Sequence, residues 1–459
     1  MASKNKIDST AKILPPGTRY LAATVCVLLV LLLLAGALAI PFLYESPSMW
    51  YKFGASKISL RAGKMLGMAA GLMILFQLPL AVRLKVLDRI FSLPGLIRQH
   101  RWHAWAIVLM ALIHPLCVLL AEGTLMIPLE MRYWPEWVGV GLLAVLLVQF
   151  ACTQWRLPLK IAFHHWLRGH RIAGLIIAAL LITHVLYVSE TFTGNPPPRQ
   201  IVLAAAGVFI LFWLWVRSAG LRARRQPYTI ARVETIGREC TCVEVLPEKG
   251  ASMAYLPGQF AFVSFTGQRL SREPHPFTLA STPSRPGTIQ FAIRHCGDWT
   301  RQVGNLTIGD RAYLQGPFGR FSHLLHASPQ QELVMIAGGI GITPMLSMLR
   351  FMADHGDPRP IALIWSNRTR EHLVFTKEFE HLTAKLTGLR RVPIFTQHTD
   401  GGKPSERLNR RMLETLLSGC NRGSAVFLCG PPSMMTALTT NLKALGFSAR
   451  SITTETFGF

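Results

Sequence analysis

Six apolar runs precede residue 220, at roughly 20–43, 65–82, 103–121, 137–153, 171–189 and 200–217. About 20 apolar residues in a helix cross the roughly 30 Å hydrocarbon core of a bilayer. The runs therefore predict a six-span helical bundle, although the second and fourth are short for a span. The first is too long for a secretory signal and lacks the small-residue cleavage site of one. Basic residues outnumber acidic ones 48 to 24, and they sit where they orient the spans rather than where they would bind nucleic acid. Lys4, Lys6, Lys12 and Arg19 precede the first run. Arg83, Lys85, Arg89, Arg98 and Arg101 fill the second loop, and Arg156, Lys160, Arg168 and Arg171 the fourth. Arg217, Arg222, Arg224 and Arg225 follow the sixth. By the positive-inside rule both termini face the cytoplasm, as they would in a bacterial inner or plasma membrane. Eight cysteines without CxxC or finger spacing give neither a disulfide framework nor a zinc site.

Histidines inside such spans are costly and are functional by default. The third and fifth spans run in the same direction. His100 and His114 lie 14 residues apart on one, and His170 and His184 have the same spacing on the other. Fourteen residues rise about 21 Å along a helix and return to within about 40° of the same face. His103 shares that face but its rise to His114 has no counterpart, and His164 and His165 fall off the face of His184. Two level pairs result, His100 with His170 and His114 with His184. Imidazole is a good haem-iron ligand, so the pattern predicts two stacked haems. Trp105 and Ile176 or Ile177 fall between the levels as packing.

After Arg225 the chain changes character. From Pro227 to about Phe321, short alternating segments (YTIARVETI, CTCVEVL, GQFAFVSF, TIQFAIRH, RAYLQGPFG) predict an antiparallel β-barrel. From about Glu332, strands alternate with helical stretches, which predicts an α/β nucleotide-binding domain with a parallel sheet. The loop AGGIGITP, Ala337 to Pro344, joins its first strand to a helix. Gly338, Gly339 and Gly341 would let backbone amides approach a pyrophosphate. Thr343 would cap the helix and Pro344 suits its first position. Ser366 and Arg368 after the next strand suit a 2′-phosphate, with no carboxylate placed for a bare ribose. NADPH is therefore expected over NADH.

HPFTLAS (275–281), GDWT (297–300), GPFG (316–319), AGGIGITP and LCGPPSMM (428–435) occur in that order. They resemble the flavin and pyridine-nucleotide segments of the ferredoxin-reductase-like superfamily, in the variants of NADPH oxidases and ferric reductases. The six-span half with its paired histidines is similar to the ferric-reductase transmembrane domain. The resemblance implies four parts: a cytoplasmic segment (1–19), a six-span di-haem domain (20–220), an FAD-binding barrel (226–325) and an NADPH-binding domain (330–459). It implies that His275, Pro276, Phe277 and Thr278 hold the flavin ring and ribityl chain. Arg294, Gly297, Asp298, Trp299 and Thr300 would meet the FAD diphosphate. Cys429, Gly430 and Pro431 would flank the nicotinamide, and the terminal Phe459 would cover the flavin until nicotinamide displaces it.

The implied activity is electron transfer from cytoplasmic NADPH through FAD and two haems to oxygen or a ferric chelate outside. Oxidases of this family carry a histidine one turn beyond the outer ligand, where this chain has Val118. There is no DxDxDG calcium-binding loop and no proline-rich partner motif, so constitutive activity without a regulatory subunit is expected. Two rivals stand: a transmembrane quinone reductase, and a transporter or proton conduit carrying a redox-sensing domain.

Overall fold

A computed structural model describes residues 14–45, 48–124, 126–193, 197–223, 227–267, 270–285, 287–397 and 407–456. The chain divides into a helical unit, Pro15–Gly220, and a second unit that includes Leu221–Phe459.

Six helices of the first unit are long and apolar enough to cross a membrane. They are α1 (Pro16–Leu43), α2 (Gly54–Ala81), α3 (Leu93–Glu122), α4 (Trp134–Gln154), α5 (Phe163–Tyr187) and α6 (Pro198–Ala223). The second and fourth runs are thus full-length helices. Hydropathy under-reads α2 because Arg61 and Lys64 lie in its first turns. The charge on Arg61 is met by Glu45, and its guanidinium lies 5.0 Å from the Phe42 ring centre. In α4 the apolar run is extended by Trp134, Pro135 and Glu136 at the N-terminus, where proline and a carboxylate are favoured. α2 packs along α3 and α4 along α5. Ile177 and Leu181 of α5 meet Leu142 of α4 in a small core. The outward surfaces stay apolar: Leu32 is 69% exposed and Leu120 67%.

The second unit begins with a six-stranded antiparallel sheet in the order β4-β3-β6-β1-β2-β5. Its strands are β1 (Pro227–Ile236), β2 (Cys240–Pro247), β3 (Phe260–Thr266), β4 (His275–Thr278), β5 (Ile289–Arg294) and β6 (Arg311–Phe318). The sequence patterns gave five of these; the short β4, formed by HPFT itself, is the sixth. Among the described residues no ladder pairs the edge strands β4 and β5, so the expected barrel is seen as a six-stranded antiparallel sheet without a closing ladder. One bond crosses the seam, from Ala280 N–H to the Gln290 carbonyl at 2.8 Å. Val243, Phe265, Phe291 and Ile293 fill the interior.

Five parallel strands follow in the order β11-β10-β7-β8-β9. They are β7 (Leu333–Gly338), β8 (Ile361–Asn367), β9 (Leu389–Phe395), β10 (Ala425–Gly430) and β11 (Ile452–Thr456). Leu333, Met335, Leu363, Trp365 and Phe427 enter one core, while Val334, Ile336, Ile364, Val426 and Leu428 enter the other. Burial on both faces is why these strands read as continuous apolar runs. The unit also holds helices α7 (Asp298–Gln302), α8 (Thr343–Asp354), α9 (Thr376–Lys385), α10 (Arg410–Leu416) and α11 (Pro432–Ala444), besides a single turn at His323–His326.

Candidate functional site

In the helical unit the four predicted histidines meet in the predicted pairs. The ring centres of His100 and His170 are 6.0 Å apart, and those of His114 and His184 are 6.4 Å apart. Each Nδ1 is engaged by a helix outside the pair. His114 Nδ1 meets the Gly63 carbonyl at 2.7 Å, and His184 Nδ1 meets that of Pro135 at 2.9 Å. His100 Nδ1 lies 3.3 Å from the Gln77 carbonyl, and His170 Nδ1 meets the side-chain amide of Gln149. For the three rings whose Nδ1 meets a carbonyl, Nε2 is the nitrogen left for a ligand.

Glycines make room for two of these rings. A Cβ on Gly67 would stand 2.9 Å from His114 Cε1, and one on Gly139 would stand 2.6 Å from His184 Cε1. The supporting residues of α2 recur on α4 at one offset of 72 residues (63 to 135, 67 to 139, 77 to 149). The histidines of α3 recur on α5 at an offset of 70 (100 to 170, 114 to 184). The repeat lies in spacing rather than sequence, so sequence reading alone misses it. His103, His164 and His165 take no part in the pairs; His164 and His165 lie against each other with ring centres 3.9 Å apart. Val118 packs toward Gly63, and Ile177 is buried as packing between the levels.

In the second unit the order of the parallel strands reverses between β7 and β10. Ligands of open α/β sheets bind at such a switch point, outside the carboxyl ends of the strands. There the turn after β7 meets the turn after β10 so closely that side chains are barred. A Cβ on Gly341 would lie 2.3 Å from the Cys429 carbonyl oxygen, and one on Gly338 would lie 2.6 Å from Met434 Sδ. Gly339 has φ +55°, in the left-handed region that favours glycine. These glycines therefore answer chain-to-chain contact and backbone conformation first. Trp365 Nε1–H holds the turn by donating to the Gly339 carbonyl at 2.9 Å.

Thr343 does not cap α8 as expected: its Oγ1–H donates back to the Ile340 carbonyl at 3.0 Å. Gly341, Thr343 and Pro344 are buried beneath the turn, leaving Gly338 and Gly339 half-buried at its surface. Cys429 is fully buried in the core, and burial holds its thiol well above the ordinary range, with Glu455 adding to the effect. Gly430 ends β10 in register with Thr456, and Pro431 precedes α11. Ser366 pairs in register with Gly338, and Arg368 is exposed just beyond β8. Between them the Asn367 amide is buried, with neither atom hydrogen-bonded among the described residues. Such an orphan at a crevice fits an absent polar ligand.

The antiparallel sheet carries an aromatic cluster of its own. Trp299 lies 4.0 Å from the His275 ring centre and is stacked at 5.9 Å on both Phe277 and Phe265. Its Nε1–H donates to the Ser271 carbonyl at 3.0 Å. Pro276 and Phe277 pair with β3, and Thr278 is buried. Thr300 Oγ1 accepts from the Gly297 N–H at 2.9 Å, folding the turn that carries Asp298. Arg294 is 3.4 Å from Glu239, and its Nη1 comes within 3.7 Å of the place a Cβ would take on Gly339. The motifs of both domains therefore converge. Phe459 lies outside the described residues.

An FAD-binding domain model matches residues 226–332, and an oxidoreductase NAD-binding domain model matches residues 335–440. NADH-cytochrome b5 reductase 1 of Cryptococcus neoformans is 30% identical over 218 residues, covering 44% of this chain and 72% of that protein. The chain belongs to the ferredoxin-reductase-like FAD/NAD oxidoreductases. The glycine betaine monooxygenase reductase subunit of Chromohalobacter salexigens is 27% identical over 215 residues, covering 44% of this chain. The chain spans only 56% to 62% of the length of this and two propane 2-monooxygenase reductase components. The FAD/NAD-binding domain of a Vibrio cholerae nitric oxide dioxygenase is 21% identical, with a TM-score of 0.45. It covers 51% of this chain and 98% of that one. Within this oxidoreductase the FAD match contains His275 to Thr300 and the NAD match Gly338 to Pro431, while residues 1–225 precede both.

Proposed function

We propose that this oxidoreductase carries electrons from cytoplasmic NADPH, by way of FAD, an inner haem at His100/His170 and an outer haem at His114/His184, across a membrane to molecular oxygen or a ferric chelate. The observation that carries the reading is the double histidine pairing. A metal–imidazole bond is about 2.0–2.1 Å, and a ring nitrogen lies about 1.1 Å from its ring centre. Two imidazoles on opposite sides of one iron therefore stand roughly 6.3 Å apart. The pairs at 6.0 and 6.4 Å fit that spacing. Carbonyl partners on Nδ1 are what metal-bound imidazoles ordinarily have. The exposed apolar flanks of six long helices support the membrane setting, and the basic loops support cytoplasmic termini.

When bound, FAD splits a hydride into single electrons and haem iron passes them on singly. The chain's residues bind and orient. His275, Phe277 and Trp299, packed on one another, would offer an aromatic group to the flavin, with Pro276 and Thr278 on the strand of His275. Arg294, with the turn formed by Gly297, Asp298 and Thr300, would meet the diphosphate of FAD. Gly338 and Gly339 present the turn to the pyrophosphate of NADPH; Gly341, Thr343 and Pro344 hold it from below. Ser366 and Arg368 recognise the 2′-phosphate. Gly430 and Pro431 would line the nicotinamide side, and Cys429 supports them from the core.

The test is NADPH oxidation by the purified, haem-loaded protein, with oxygen and chelated ferric iron supplied in turn. Superoxide in air, with activity lost without oxygen, makes oxygen the acceptor; anaerobic iron reduction makes it iron. A preparation with flavin but no bis-histidine haem spectrum would refute the reading.

A further inference from the structure

Three of the four paired histidines are oriented by main chain. The carbonyls of Gly63, Gln77 and Pro135 can only accept, so His114, His100 and His184 carry their protons on Nδ1 and keep Nε2 for a metal. The fourth differs. Gln149 stands on α4 where Gln77 stands on α2, yet its carbonyl is taken by Thr153 Oγ1–H at 2.8 Å. His170 Nδ1 therefore meets the side chain of Gln149 instead, through Nε2 of the amide. Gln77 uses its side chain elsewhere, donating from Nε2 to the His100 carbonyl at 3.2 Å.

A side-chain amide has a donor end and an acceptor end, which a half-turn about its last bond exchanges. With nitrogen facing His170, Nδ1 accepts and the ring proton sits on Nε2, where it blocks ligation. With oxygen facing it, Nδ1–H donates and Nε2 is free. Trp166 keeps the ring itself in place: its centre is 5.1 Å from that of His170, and its Nε1–H donates to Thr153 Oγ1 at 3.3 Å. The amide is thus the element that chooses the tautomer.

Resting on the haem reading above, we propose that Gln149 is the positioning residue of the inner haem level. Its Oε1 accepts the His170 Nδ1 proton, commits Nε2 to iron, and tunes the potential of that level alone. Donation from Nδ1–H makes imidazole a more basic ligand, which favours ferric iron and lowers the midpoint.

The experiment is a spectroelectrochemical titration and haem count on full-length, haem-loaded protein: wild type, Gln149→Leu, Gln149→Glu and Gln77→Leu. Gln149→Leu is expected to raise one midpoint by about 59 mV or more, the one-electron equivalent of a tenfold change, and to leave the other unmoved. Gln149→Glu, an acceptor only when ionised, is expected to retain both haems and lower the same midpoint. Gln77→Leu leaves the carbonyl to His100 in place and should move neither. Wild-type midpoints in Gln149→Leu, or the same direction of shift in Leu and Glu, would overturn the proposal. Wild type without bis-histidine haem would instead fail the reading it rests on.

Discussion

Gly139→Ala tests the histidine pairing at its tightest point. A Cβ there stands 2.6 Å from His184 Cε1 and 2.8 Å from Nδ1. Carbon contacts are comfortable from about 3.5 Å, so the ring must retreat by roughly 0.9 Å. It is tied to the Pro135 carbonyl at 2.9 Å. A retreat of that size stretches the bond to roughly 3.8 Å, beyond hydrogen-bond range. The lost bond costs about 1 kcal/mol and the overpacking about 1–3 kcal/mol. On the proposal that His114 and His184 hold a haem, these together would weaken its binding by about 30-fold to 700-fold, at about 1.4 kcal/mol per tenfold. Gly67→Ala presses on the facing His114 from 2.9 Å and should do less. Both act on one haem, so the double variant should still hold one haem per chain. Gly141→Ala, on the same helix with nothing within 4 Å of its Cβ, is the control. Haem per chain, measured by absorbance across a haem titration, reads the result. Two tightly held haems in Gly139→Ala, or equal loss in Gly141→Ala, would refute the geometry.

Arg350 of α8 ties its domain to the seam of the antiparallel sheet, donating to the Ala280 carbonyl at 2.7 Å and to Gln290 Oε1 at 2.6 Å. It also pairs with Glu378 at 2.5 Å. Arg350→Met should cost about 2–3 kcal/mol, or about 4–12 °C in the melting of the flavin-nucleotide unit; calorimetry showing no shift would contradict it. Gly297→Ala has open space and an extended φ of −166°, so its melting temperature should hold while FAD affinity falls. Melting that drops with FAD affinity intact would remove Gly297 from the diphosphate turn. Burial raises the thiols of Cys240 and Cys242 to about 11 and about 12. Their folded forms hold protons that the unfolded chain releases, so this stability is full below the ordinary thiol range and lost as pH rises toward 12. Denaturation midpoints should therefore fall between pH 8 and about 10.5, and less steeply in Cys240→Ala/Cys242→Ala. Equal slopes would exclude the thiols.

The histidine pairs were legible because a helix converts sequence spacing into height and azimuth, and His100/His114 and His170/His184 share one spacing. Their partners were not. Gly63 and Pro135 act through carbonyls, which every residue has, and Gln149 differs from Gln77 only in what Thr153 does to its carbonyl. The glycine turn was legible as a turn. Its reasons were not: Gly341 answers the Cys429 carbonyl across the sheet, a contact 88 positions away in the chain (341 to 429). β11 was missed because Ile-Thr-Thr-Glu-Thr carries one large apolar side chain. As an edge strand joined to β10 by backbone bonds, it needs no alternating pattern.

One geometric rule accounts for the difference between the two histidine levels. A helix carbonyl at position i points toward residue i+4, so a ring can reach it sideways only where residue i+4 is small. At the outer level that residue is Gly67 for Gly63 and Gly139 for Pro135, and the bonds are 2.7 and 2.9 Å. At the inner level it is Ala81 for Gln77, and the bond lengthens to 3.3 Å. For Gln149 it is Thr153, whose hydroxyl claims the carbonyl at 2.8 Å. Only a side chain long enough to pass the Cβ of residue 153 can then serve His170, and a glutamine stands there. The step from glycine to alanine to threonine thus moves control of the imidazole from main chain to side chain.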